Sequence, residues 1–269
     1  MSEATAQIKT RPARLRSRAA QRLDSLLHRR CLAAGLLSLR GHSIFAPALG
    51  PASTVIDAGA HTGDFSRAVM DRFGCRCHAL EPVTGLRSRI AGRPGLSIHA
   101  LALAGVDGEG VIHLSDEPEA NSLQPSIAQT FGSRGTEAVR LATLESFLTA
   151  QGLETIDLLK LDIEGEEIAV LDSLSDERLR QIGQISVELH DFIPGLGLSG
   201  DVARLKRRLR RAGFLALVMS QWDGNHADTL FLNRRRIPLG PAARLRLFLV
   251  SPLLLRFLWL LYRVRAWIS

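Results

Sequence analysis

The segment Thr54-Val-Ile-Asp57-Ala-Gly59-Ala-His61-Thr-Gly63-Asp-Phe-Ser66 restricts the fold more than any other part of this chain. A short apolar run meets a turn with two glycines and then an amphipathic stretch, so a buried strand hands over to a helix through a tight loop. Such a loop aims backbone N–H groups and a helix N-terminus at one end of a ligand. Gly59 and Gly63 let the main chain come close where a side chain would clash. The spacing is D-x-G-x-x-x-G, not the G-x-G-x-x-G that admits a pyrophosphate. With an acid before the first glycine, the loop suits a ligand with a cationic amino-acid end. Asp57 either organises the loop or acts through water on an ammonium group.

Residues 53–233 alternate short apolar runs with amphipathic stretches, which is the pattern of an α/β domain. Strands are predicted at 54–57, 76–81, 97–102, 156–162, 185–190, 214–220 and 229–232. Helices are predicted at 63–73, 84–91, 143–151, 166–174 and 201–212. Asp107-Gly108 and Gly110 mark a hairpin within 103–115. Residues 115–137 are polar and rich in Pro, Gly and Ser, and read as a structureless lid or a mobile stretch.

Acids recur at the carboxyl ends of these strands. Glu81, with Pro82 beside it, ends the second strand, where a carboxylate accepts hydrogen bonds from two ribose hydroxyls. Asp162 and Glu164 alternate at the end of the 156–162 run, on one face at the edge where open α/β sheets hold ligands. They can bind a divalent cation, act as a base towards a hydroxyl, or hydrogen-bond a substrate, with Lys160 neutralising them. Capping of the next helix is the competing role; it suits Glu166 and Glu167 and fits Asp162 poorly. Glu188 and His190 alternate on the 185–190 tip, where His190 could be a general base or a metal ligand. His61, inside the glycine loop, reads as shaping a cofactor pocket.

These elements, in this order, resemble the FkbM family of S-adenosyl-methionine-dependent methyltransferases. The resemblance is carried by VIDAGAHTGDFS (55–66), LEP (80–82), ALAGVDGEGVIHL (102–114), TLESFL (143–148), DLLKLDIEGEEIAVL (157–171) and VELHD (187–191). It covers roughly residues 50–235, and His61 stands where relatives often have Asn. What it implies is a Rossmann-like class I methyltransferase sheet of seven strands, the last antiparallel, with helices on both sides. It also implies methyl transfer to a hydroxyl of a sugar, a glycan or glycolipid, or a secondary metabolite. Asp57, Gly59, His61 and Gly63 would surround the methionine part, Glu81 and Pro82 the ribose, and Ala102 the adenine. Asp162, Glu164 and His190 would face the acceptor. Metal dependence stays open.

The charge distribution frames this domain. Residues 1–40 carry nine Lys/Arg against two acids, and residues 233–269 carry eight arginines and no acid, around a net-acidic body. The expected organisation is a basic amphipathic helical extension (1–45), the methyltransferase domain (46–236) and a basic, apolar C-terminal helical segment (237–269). Over residues 10–40 the pattern is helical, with Arg11, Arg14, Arg18, Arg22 and Arg29 beside Leu15, Ala19, Leu23 and Leu26. Near the C-terminus, Leu247–Tyr262 is almost wholly apolar but broken by Pro252 and Arg256, too short and too charged to span a bilayer. Each end either docks on protein or lies on an anionic membrane surface. Three cysteines in no metal spacing and the absence of a signal-like segment point to the cytoplasm, with contact at the inner face of the membrane as the added expectation.

Two other enzyme classes and one non-catalytic reading compete. A nicotinamide-dependent oxidoreductase lacks its third glycine here. An acidic body disfavours a nucleic-acid partner despite the high isoelectric point. A membrane-associated module with a vestigial cofactor pocket is opposed by the intact loop and carboxylates. Neither the acceptor nor the oligomeric state follows from the sequence.

Overall fold

The computed structural model describes residues 31–117, 120–130, 132–189, 199–218 and 228–249. In chain order its strands are β1 (Leu36–Leu39), β2 (His42–Phe45), β3 (Thr54–Ala58), β4 (Arg76–Leu80), β5 (Leu96–His99), β6 (Ala102–Leu103), β7 (Gly108–Leu114), β8 (Gly135–Ala142), β9 (Ile156–Leu161), β10 (Ile182–Glu188), β11 (Phe214–Val218) and β12 (Asp228–Asn233). Its helices are α1 (Asp64–Phe73), α2 (Thr84–Arg87), α3 (Pro125–Thr130), α4 (Leu144–Gln151), α5 (Glu167–Ser173), α6 (Asp176–Arg180), α7 (Ser199–Ala212) and α8 (Pro241–Leu249).

Seven strands form one sheet in the order β11-β12-β10-β9-β3-β4-β5. Strands β3, β4, β5, β9 and β10 pair in parallel, and β12 runs against both β10 and β11. This is the expected sheet with its last strand reversed. From β3 the chain winds outwards through β4 and β5, then returns to β9 on the other side of β3. The strand order therefore switches between β3 and β9, and ligands of open α/β sheets sit above the carboxyl ends at such a point.

All five residues of β3 are buried because both faces of the sheet are covered. Ile56 and Ala58 pack with Leu159, Leu161, Ile185 and Val187 on one side. Val55 packs with Val69, Met70 and Leu158 on the other. In register, Asp57 lies beside Lys160, and Ala58 lies between Leu80 and Leu161. Three strands thus end level with one another, and the next residues along each chain segment, Gly59, Glu81 and Asp162, emerge at one edge.

Two readings of the sequence need correction. The helical pattern assigned up to residue 40 and the helical extension drawn to residue 45 fail from Leu36 onwards, where β1 and β2 form an antiparallel hairpin. Its turn is Arg40-Gly41, both with positive φ (51° and 88°), which matches the twist of a two-residue hairpin. Burial fixes it: Leu36, Ile44 and Phe45 are enclosed, the Ser43 N–H donates to Asp228 Oδ2 at 3.0 Å, and the Phe45 N–H donates to Gln184 Oε1 at 2.8 Å. Residues 1–30, which carry the rest of that pattern, lie outside the described residues.

The 115–137 stretch is not structureless. It holds α3 and the start of β8, which pairs with β7 from Gly108↔Leu141 to Leu114↔Gly135 and joins β6 in a second, three-stranded sheet. Ile127 and Ala128 are each only 1% exposed, so two apolar residues within a polar stretch suffice to anchor it. The predicted strand at 97–102 is correspondingly split between β5 and β6. At the C-terminal side, α8 docks through Leu247 against Cys31, Leu230 and Leu232. Among the described residues no helix is long and apolar enough to cross a membrane, and the segment after Leu249 lies outside them.

Candidate functional site

The glycine loop begins just past the paired carboxyl ends of β3 and β9. Gly59 has φ 74°, and a Cβ built on it would lie 1.8 Å from the Asp162 carbonyl oxygen, so only glycine fits between the two strand ends. The N–H groups of Gly59 and Ala60 both donate to the Leu80 carbonyl, at 3.1 and 3.0 Å, which ties the loop to β4. Gly63, with φ 76°, starts α1.

Beneath the loop lies a buried ionic cluster. Lys160 Nζ is 3.2 Å from Asp57 Oδ1 and 3.6 Å from Asp162 Oδ2, and it donates to the carbonyls of Ala58 (3.2 Å) and Gly59 (2.7 Å). The Ser66 hydroxyl donates to Asp57 Oδ2 at 2.6 Å. Burial alone would lower the Lys160 pKa, but the carboxylates of Asp57, Asp162 and Glu81 outweigh it and raise the value. Lys160 therefore stays cationic, and its pairing makes the burial of Asp57 tolerable.

Glu81 follows β4 with its side chain turned into the site. Its Oε2 accepts from the His61 N–H at 2.8 Å and its Oε1 from the Val83 N–H at 2.9 Å. An ionised carboxylate has about four lone-pair sites, so two remain for a ligand's hydroxyls. Burial pushes the carboxyl up to about 7, against the pull of those two N–H donors. Arg87 donates to the carbonyls of Glu81 and Pro82, at 3.0 and 2.6 Å, and fixes the backbone there.

The turn after β9 is held from both sides. Glu167, itself buried, accepts from the N–H groups of Ile163 (3.0 Å) and Gly165 (3.1 Å). Its carboxylate thereby ties the turn to α5. These donors precede the helix, so this is a brace on the turn rather than the helix cap expected of Glu166 and Glu167, and the N-cap Glu166 makes no side-chain cap bond. Glu164 adopts φ 52° although it is not glycine, and its carbonyl accepts from the Ser122 hydroxyl at 2.6 Å. Gln124 donates to the Gly165 carbonyl at 2.9 Å. The polar 115–137 segment is thus the clamp on this turn rather than a loose lid. Strain concentrated on a non-glycine residue is typical of functional positions.

A cavity of about 520 Å³ opens above these elements, within the usual size for a small-molecule site. Gly59, His61, Glu81, Pro82, Ala102, Asp162 and Glu164 all line it, together with Glu188. Asp57 and Gly63 do not. Asp57 is fully buried behind the loop, so its contact with a cofactor is corrected to the organising role; Gly63 packs against Ile90. His190 lies outside the described residues. A second cavity, about 650 Å³, lies between Gly35, Asp157, Gly183 and Arg236, at the amino ends of β9 and β10 and away from these acids.

Sequence reasoning did not reach two groups at the site. Arg40, in the hairpin turn, lines the cavity. His42 Nε2 lies 3.4 Å from Asp162 Oδ2. Both sit in a segment that carries a helical period, and Gly41 after Arg40 is the turn residue between them. Among the described residues no group of three or more His, Cys, Asp or Glu side chains is arranged to hold a metal ion.

Comparison with known proteins adds a family. The family model of the Methyltransferase FkbM domain matches residues 57–216. The 31-O-demethyl-FK506 methyltransferase FkbM of Streptomyces tacrolimicus is 27% identical over 222 residues, covering 67% of this chain and 79% of that protein. The AMB antimetabolite synthetase AmbE of Pseudomonas aeruginosa is 29% identical over 205 residues, covering 62% of this chain and 10% of the synthetase, so the chain spans about a tenth of that relative. Among solved structures, Aeropyrum pernix fibrillarin with natively bound S-adenosyl-L-methionine has a TM-score of 0.39 at 12% identity, covering 76% of this chain and 74% of that one. The Geobacter metallireducens precorrin-6y C5,15-methyltransferase has a TM-score of 0.35 at 12% identity, covering 83% and 91%.

Proposed function

This chain belongs to the FkbM methyltransferase family, and from that premise we propose that it is an O-methyltransferase acting on a hydroxyl of a sugar, a glycan or glycolipid, or a secondary metabolite. The observation that carries the reading is that Gly59, Glu81 and Asp162, which follow three different strands, line one cavity. An oxygen is also the methylated position in the name of the Streptomyces tacrolimicus relative.

The residues present fit S-adenosyl-methionine. Glu81 has lone pairs free for two ribose hydroxyls, and Leu101, Ala102, Leu103 and Ile112 offer an apolar bed for the adenine. Arg40 is the one Arg or Lys among the described residues lining a cavity that also holds Glu81, Asp162, Glu164 and Glu188. We assign it the cofactor's carboxylate. The cofactor supplies a methyl group already activated as a sulfonium.

What the chain itself must do is align the acceptor oxygen and take its proton. Asp162 receives that proton at its carboxylate, a step typically worth about 10²–10⁴-fold for a weak alcohol nucleophile. Glu164 orients the acceptor. Ile112 of the small sheet, with Asn121 and Leu123, lines the cavity's flank.

Calorimetric titration with S-adenosyl-homocysteine, followed by incubation with methyl-labelled S-adenosyl-methionine and glycan and lipid extracts, tests the reading. Binding and label in an alkali-stable ether support it. Label recovered only in protein or nucleic acid would overturn the substrate class.

The basic ends remain a second, separate proposal. Helix α8 presents Arg244 and Leu245, the latter 59% exposed, and supports contact with an anionic surface.

A further inference from the structure

We infer that His42, on the hairpin that precedes the family domain, is the positioning residue for Asp162 and makes that hairpin part of the active site. The inference rests on the methyltransferase reading and deepens it. His42 lies outside residues 57–216, the part matched to the family, so nothing in the family resemblance assigns it.

Four observations carry the inference. The His42 ring is buried, with 6% of the residue exposed, yet its Nε2 sits 3.4 Å from Asp162 Oδ2, the carboxylate assigned to take the acceptor's proton. Its Nδ1 is buried and makes no hydrogen bond among the described residues. Nε2 is therefore the ring atom through which His42 can offer an N–H to Asp162. The ring is locked by an edge-on contact with Phe65, at 5.5 Å between centroids, and by the neighbouring Ser43 N–H bond to Asp228.

His42 and Lys160 both approach the same oxygen, Asp162 Oδ2. The carboxylate is thus gripped along one edge, which fixes its rotation about the Cβ–Cγ bond. The surrounding charges are Arg40 from the hairpin, Asp57 beneath the loop, Glu81 after β4, Glu164 in the turn, Glu188 after β10 and Asp228 at the start of β12. Among these acids a carboxylate needs donors to stay ionised, and the imidazole N–H at Nε2 supplies one.

The test combines a titration with a rate. With the Asp carboxyl carbons ¹³C-labelled, the NMR midpoint of Asp162 is followed in wild type, His42→Leu and His42→Gln, all bound to S-adenosyl-homocysteine. Gln places an amide N–H near the Nε2 position; Leu places none. The expected result is a midpoint about one pH unit higher in His42→Leu, a tenfold change in proton affinity, and little change in His42→Gln. The rate of label transfer from S-adenosyl-methionine should fall about tenfold or more in His42→Leu, with cofactor affinity kept within a few-fold, and recover in His42→Gln. An unmoved midpoint in folded His42→Leu overturns the inference. Should that variant not fold, a raised midpoint in His42→Gln, or a wild-type ring carrying its hydrogen on Nδ1 by ¹⁵N shifts, overturns it equally. Absence of label transfer by the wild type counts against the methyltransferase reading instead, and the titration still decides this one.

Discussion

Lys160 donates from Nζ to the carbonyl oxygen of Gly59 at 2.7 Å, so β9, the strand that leads to Asp162, also holds the glycine loop from below. One buried cation thereby links the two halves of the site. It joins Asp57 and Asp162 electrostatically and fixes the loop's main chain mechanically.

Replacing Lys160 with Met keeps the bulk and removes the charge. Asp57 is then buried without its cation, a situation that costs about 3–5 kcal/mol in proteins. Urea melts should show a loss of that order, and the double variant Lys160→Met/Asp57→Asn should recover part of it. Equal stability of wild type and Lys160→Met would show that the cluster is not what holds the loop.

Gly59→Ala tests the contact between the strand ends. The new Cβ meets the Asp162 carbonyl at 1.8 Å, and alanine is strained at φ 74°. Either the loop or the Asp162 turn must shift. S-adenosyl-homocysteine affinity should fall more than about tenfold, with a lower melting temperature. An alanine variant that binds like the wild type would remove the close approach from the account.

Cofactor binding should depend on pH through Glu81. Its carboxyl titrates at about 7 when free of ligand, whereas ribose hydroxyls donate to the ionised form. Binding then releases a proton, and affinity should weaken as pH falls below 7, towards tenfold per unit. Calorimetry in two buffers of different ionisation enthalpy measures the proton directly. Glu81→Gln should bind weakly at every pH; an unchanged dissociation constant between pH 6 and 8 in the wild type contradicts the role.

A second titrating pair sits away from the site. His78 Nδ1 lies 3.1 Å from His99 Nε2, with both rings edge-on to Phe147. Burial, then the charges of His99 and Arg76, lower His78 to about 4, and burial lowers His99 as well. The unfolded chain binds more protons than the folded one between about 4 and 6.5, so this pair's contribution is full above 6.5 and is lost as pH falls towards 4. Glu81 acts in the opposite direction over part of that window, so the comparison is between wild type and His78→Leu. Their stability difference should move in favour of the variant by about 1–2 kcal/mol from pH 7 to pH 5, a figure discounted for partial exposure. A difference that stays constant with pH would rule out the pair as its source.

Where periodicity and burial agree, the fold was legible. The β3 run, the glycine turn and the acid after β4 each carry a local signature, and the parallel sheet follows from their alternation with helices. The hairpin was not legible because Arg40 occupies a turn position where Asn would have announced it, while the arginines upstream sustain a helical period. Nor was the anchoring of residues 115–137, since Ile127 acquires its meaning only against the Gly165 turn. Asp57 looked like a ligand contact because it precedes the first glycine. Its register opposite Lys160, a long-range pairing invisible to local pattern, turns it inwards instead.

The most direct measurement is calorimetric titration of S-adenosyl-homocysteine into three proteins: wild type, Glu81→Ala and Asp162→Asn. A single cavity with a cofactor side and an acceptor side predicts binding by the wild type, at least about tenfold weaker binding by Glu81→Ala, and binding within a few-fold of wild type by Asp162→Asn, which should nevertheless transfer no methyl group. Silence from the wild type, or full turnover by Asp162→Asn, would contradict it.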